Sequence, residues 1–226
     1  MSIARHQAGL SLVEMMVGIA IGLIVVAAAA MLVATQLSEN RRLLLETQVQ
    51  QDLRATSDII AREIRRAGYW TTSRRGAWYQ DTPAVVENPY AGVNLVSASE
   101  VHLSYSRAVT EAAQGAAVTD SERLGYRLRS GVIETQLGLD NWQALTDGAT
   151  LRVTELRIEL VPVATDRAIC PKDCAGLGAP EACWPELTVR EVSVFIDGVA
   201  VSDAAVRRTV RNRVRLRNDL VTGSCP

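Results

Sequence analysis

The sequence predicts an α+β protein in which one long N-terminal helix packs on a head of antiparallel β-sheet. Three observations lead there. No charged side chain occurs in residues 15–38. Beyond that run, apolar residues recur at helical spacing as far as Ala67, just before Gly68. From about Tyr69 onward, apolar and polar residues alternate in short stretches, the pattern of strands covered on one face.

The uncharged run supplies about 20 apolar residues, enough to cross the hydrocarbon core as a helix. Ile24, Val25, Val26 and the alanines 27–30 continue it without a break. An ordinary secretory signal peptide is the alternative, because Arg5, a hydrophobic stretch and the small residues 27–30 satisfy its outline. Two features oppose it. Glu14 lies inside the apolar stretch, where a carboxylate is costly, and cleavage after Ala30 would leave residues 31–37 as an apolar tail without a role. Flanking charge does not orient the span, since Arg5 and His6 on one side face Glu39, Arg41 and Arg42 on the other.

The helix is expected to continue past the span. Leu45, Val49, Leu53, Ile60, Ile64 and Ala67 form one apolar stripe, with Glu46, Asp52, Arg54, Asp58 and Arg62 on other faces. Arg65, Arg66 and then Gly68 make a stop signal. From Leu12 to Ala67 such a helix is on the order of 80 Å long at about 1.5 Å per residue.

Strands follow. In residues 100–106, Val101, Leu103 and Tyr105 alternate with Glu100, His102, Ser104 and Ser106. Residues 124–129 and 132–137 flank Ser130-Gly131, a hairpin turn. Residues 154–163 place Leu156, Ile158 and Leu160 opposite Glu155, Arg157 and Glu159. Residues 187–196 form another strand, whose apolar parity shifts near Arg190 and so predicts a bulge; Asp197-Gly198 then predicts a turn. In the last strand Val206, Val210, Val214 and Leu216 share one face, and Arg207, Arg211, Arg213, Arg215 and Arg217 the other. A basic ridge of that kind could meet DNA or an acidic partner. The stronger reading is an outward strand face that is charged because it meets solvent, with Glu155, Glu159 or Glu191 available to pair across the sheet.

Four cysteines, Cys170, Cys174, Cys183 and Cys225, fall in the C-terminal third, three of them in a loop rich in Pro and Gly at residues 164–186. An even number in one region points to disulfides and an oxidising compartment, the periplasm or the cell exterior. Zinc is the alternative, yet no two of them form the tight C-x2-C pair of zinc ribbons and Cys225 stands alone. Two disulfides are the expectation, with three connectivities open.

Composition limits the remaining functions. The 226 residues suit one globular domain with an appendage, and a net charge of -1 argues against a nucleic-acid binder. Aromatic residues, at 4%, are too few for much base stacking. The two histidines are His6, near the N-terminus, and His102, on the polar face of a strand, so neither a Ser-His-Asp nor a Cys-His arrangement is expected. Gly176-Leu177-Gly178 is too short for a nucleotide loop. No enzyme, cofactor or metal is expected.

The run Ala8-Gly9-Leu10-Ser11-Leu12-Val13-Glu14 resembles the processing site of type IV prepilins: a short leader ending in Gly, an apolar new first residue and Glu at the fifth mature position. Leu10 stands where Phe is more usual. The resemblance implies a prepilin peptidase that cuts between Gly9 and Leu10, methylation of the new amino group, and a pairing of Glu14 with that amino group on the same or a neighbouring subunit. It also implies a pilin-like lollipop: leader 1–9, helix 10–68 with residues 10–37 in the inner membrane or filament core and 38–68 amphipathic, and a periplasmic head 69–226.

With the Gly9/Glu14 site, Glu63-Ile64-Arg65-Arg66-Ala67-Gly68-Tyr69 at the helix end and the closing Arg-rich strand through Leu216-Arg217-Asn218, the sequence is most similar to PilW-type minor pilins. That implies a structural, non-catalytic subunit that primes assembly and sits in a tip complex with other minor pilins, the major pilin and a large tip adhesin. A J-type minor pseudopilin of a type II secretion system shares the leader, helix and sheet. A secreted, disulfide-bonded binding module is the reading from a different class.

Overall fold

The computed structural model describes residue 9 and residues 11–73, 87–115, 117–170, 172–174, 176, 178–179, 181–223 and 225. Backbone packing divides the chain into two compact units, residues 1–45 and 46–226. The first helix, α1 (Leu12–Arg66), runs from one into the other.

Over residues 15–34 of the first unit, α1 carries no charged or amide side chain on any face. Leu12, Met16, Leu23, Ile24 and Leu32 are all exposed. A helix apolar on every face is not designed to lie in water. In the second unit the polar and apolar faces separate, and Val49, Leu53, Ile60, Ala61 and Ile64 are buried. The helix ends where the sequence predicts. Gly68 has φ +76°, a conformation that costs an L side chain strain, and its amide donates to the carbonyl of Ser104 at 3.0 Å.

The head holds two antiparallel sheets rather than one. The first is a meander of β1 (Val93–Ser97), β2 (Glu100–Ser104), β3 (Arg123–Arg129), β4 (Val132–Leu137) and β5 (Trp142–Ala144). Its predicted hairpin is present: Ser130 and Gly131, at φ 52° and 80°, join β3 to β4 with Arg129 opposite Val132. Positive φ at both positions is what a twist-compatible two-residue turn requires. The second sheet has the order β6 (Leu151–Arg167), β7 (Glu186–Ala200), β8 (Arg207–Arg215), and β9 (Leu220–Thr222) joins β7. The edge of β6 is fastened to the first sheet, through Val153 N–H to Gly131 O and Ile158 N–H to Ala98 O, each at 2.8 Å.

Apolar alternation explains the core. Val101, Leu103, Tyr105, Tyr126 and Ile133 of the first sheet region are buried, as are Leu156, Ile158, Val192, Val194, Ile196 and Val214 of the second. The stripe of α1 lies over β7 closely enough that a Cβ on Gly198 would come within 3.3 Å of Leu53. Tyr105 donates its hydroxyl to Glu63 at 2.7 Å, and Arg208 pairs with Glu46.

Three expectations are corrected. Asp197-Gly198 is not a turn but part of β7, and the chain reverses after Ala200. A glycine is needed there because Leu151 and Leu53 pack against the backbone, and Asp197 is tolerated because Arg207 and Thr154 bind its carboxylate. The bulge near Arg190 lies on the opposite strand, where the register skips between Pro162 and Ala164. Arg190 itself keeps the inward parity of Val192, Val194 and Ile196, and is buried. Finally, β6 extends to Arg167, so the cysteine-rich connection spans 168–185 rather than 164–186.

Candidate functional site: the N-terminal processing and assembly segment

Gly9 is exposed and precedes α1; Leu10, with Arg5, His6 and Ala8, lies outside the described residues. Glu14 falls in the first turn of α1, where a carboxylate complements the positive end of the helix dipole. The first described bond of the helix is Met15 N–H to Ser11 O at 3.1 Å. The segment that follows has the length and composition to cross a membrane, and none of it is buried within the chain. A carboxylate at the head of such a helix is costly in lipid unless a cation meets it. Gly9 thus precedes the helix, and Glu14 gives its first turn a negative charge.

In the head the four sulfurs are all in disulfides, Cys170–Cys225 and Cys174–Cys183, with no free cysteine. That leaves no thiolate for zinc and selects one of the three pairings that the sequence left open. Among the described residues no group of three or more His, Cys, Asp and Glu side chains is placed to hold a metal. His102 contacts Glu100 at 2.8 Å and meets the Trp142 ring edge-on, a surface contact of one sheet.

Sequence reasoning missed the polar supports of the head. Arg190 donates to Ala91 O at 2.7 Å and to Asn218 O at 3.1 Å, and burial pulls its guanidinium below the usual arginine range, an effect Asp219 partly offsets. The signal was present: a charged residue at the inward parity of an apolar strand. Glu122 is buried and accepts from Tyr90 Oη, Thr119 N–H and Thr119 Oγ1, each at 2.9 Å, and from Arg107 N–H at 3.0 Å. Burial pushes its carboxyl upward, but these donors outweigh it and hold the group below the usual carboxylate range. In Asp197 the hydrogen bond from Arg207 dominates and again lowers the pKa.

The residues that end α1 and those that follow β8 touch each other. Arg217 N–H donates to Arg65 O at 3.2 Å and Asn218 Nδ2 to Ala67 O at 3.0 Å, so the connection between β8 and β9 caps the end of α1.

Comparison with known families decides the lineage. The family described as Prokaryotic N-terminal methylation motif matches residues 4–30, and Prepilin peptidase-dependent protein B matches residues 42–216. The chain belongs to the prepilin peptidase-dependent protein B family. No curated protein and no solved structure matches it. As a member of this family with an intact N-terminal motif, it is a type IV pilin-like minor pilin, anchored in a membrane by α1 and dependent on prepilin peptidase. Pilin-like families are structural, and their members assemble with other pilus components.

Proposed function

We propose that the protein is a PilW-type minor pilin: cut between Gly9 and Leu10, methylated on Leu10, and placed in a small complex that primes a type IV pilus and remains at its tip. The observation that carries this reading is the division within one helix. Its first part is bare and apolar on every face, whereas from Val49 onward one stripe is buried under the head. A segment so built is suited first to lipid and then to the helices of neighbouring subunits. The paired cysteines support a head in the periplasm, and later outside the cell, because such bonds persist in oxidising compartments. The PilW-type reading rests on the sequence stretches 63–69 and 216–218, which meet through the contacts of residues 65–67 with 217–218. The subunit acts by assembly with other minor pilins, the major pilin and a tip adhesin, without catalysis.

The J-type pseudopilin of a secretion system has the same leader and helix. Deleting the gene separates the two readings: loss of surface pili with normal protein secretion is expected, whereas normal piliation with a secretion block selects the pseudopilin.

A further inference from the structure

The sequence contains one phenylalanine, Phe195, and β7 turns it away from the core. Cross-strand register puts Arg157 of β6 directly on one side of it and Arg211 of β8 directly on the other. Both guanidinium groups approach the ring, at 5.6 and 5.5 Å from its centroid. The next row along the sheet is Glu159, Ser193 and Arg213, and these six residues line one shallow depression.

Most of the neighbouring arginines are already neutralised. Arg157 pairs with Glu155, Arg207 with Asp197, and Arg215 with Asp219 at 3.2 Å. Arg213 is 3.8 Å from Glu191 and remains 73% exposed. Arg211 has no carboxylate partner among the described residues; its described contact is the face of Phe195. At 5.5 Å Arg211 lies within cation–π range of the ring, which leaves its N–H groups available to a carboxylate. An outward aromatic beside arginines is also the composition that dominates protein interfaces.

We infer that this face of the second sheet docks an acidic segment of a neighbouring filament subunit, with a carboxylate on Arg211 and Arg213 and an apolar group on Phe195. The inference rests on the reading of the chain as a filament subunit. Aliphatic side chains continue the face toward the cysteine-rich end, where Val161 and Val221 are 42% and 41% exposed. A protein segment can use both features, whereas a nucleic-acid backbone uses only the charge.

The test uses the full-length chain in its own cells, with a photo-crosslinking amino acid in place of Ser193. One companion subunit should be captured through a peptide containing Asp or Glu. Arg211→Glu should abolish the product, Arg211→Lys should retain part of it, and reversing the partner's acid to Arg should restore it in the Arg211→Glu background. A cross-link unaffected by Arg211→Glu, or a linked peptide without a carboxylate, overturns the inference. So does binding of a DNA duplex by the purified chain that Arg211→Glu removes while protein capture is absent. The N-terminus is sequenced in the same cells: a methylated Leu10 without the cross-link rejects this interface alone, whereas an unprocessed chain rejects the underlying reading.

Discussion

The side-chain amide of Asn218 donates to the carbonyl of Ala67 at 3.0 Å, across 151 residues of sequence. A helix leaves its last carbonyls without intrahelical partners, and here the link between β8 and β9 supplies one. Arg190 holds that segment in turn by donating to the Asn218 carbonyl. The link between β8 and β9 thus caps the end of α1, beside the stop that Gly68 makes.

Removing this cap has a measurable cost. Asn218→Ala leaves a partly buried carbonyl unpaired and should destabilise the head by about 1–2 kcal/mol. Gly68→Ala should cost about 1 kcal/mol through its positive φ. Urea unfolding of the detergent-solubilised chain reads both; midpoints equal to that of the parent chain contradict the capping role.

Much of this arrangement was legible in the residues, and the failures have physical causes. The end of α1, the Ser130-Gly131 hairpin and the arginine face of β8 follow from local chemistry: a left-handed glycine, two turn residues, and arginines at alternate positions from 211 to 215. Asp197-Gly198 misled because a turn dipeptide also serves inside a strand when a helix packs on it and a buried carboxylate finds an arginine. Arg190 misled because its inward place depends on carbonyls of Ala91 and Asn218, far away in sequence. The three-residue strands β5 and β9 are too short to show a period. Cysteine pairing is set by tertiary structure, which spacing does not encode.

Glu122 makes stability depend on pH. Its folded pKa lies below the unfolded value, so its contribution is present above the unfolded carboxylate pKa and is lost as pH falls through the folded one. Glu122→Gln should therefore lower stability at neutral pH and flatten the acid side of the stability curve. Unfolding midpoints measured from neutral to acid pH check this; parallel curves for the two proteins contradict it.

The two disulfides should differ in weight. Cys170–Cys225 spans 55 residues and Cys174–Cys183 spans 9, so loop-closure entropy assigns about 4 and about 2.5 kcal/mol respectively. Replacing the first pair by Ser should lower the unfolding midpoint more than replacing the second. In the parent chain all four cysteines should resist alkylation until reductant is added; free thiols with stoichiometric zinc contradict the pairing.

If Glu14 meets an amino terminus during assembly, as the prepilin resemblance implies, Glu14→Ala should leave the head intact and impair incorporation into filaments. Immunoblots of sheared pili against whole cells measure the loss. Undiminished incorporation removes Glu14 from the assembly account.

The processing site tests the account most directly. Mass spectrometry of the mature protein, isolated from membranes or pili, should find an N-terminus at Leu10 carrying one methyl group, with residues 1–9 absent. An N-terminus near Met31 contradicts the account, because the bare part of α1 would then have been discarded as an ordinary signal peptide.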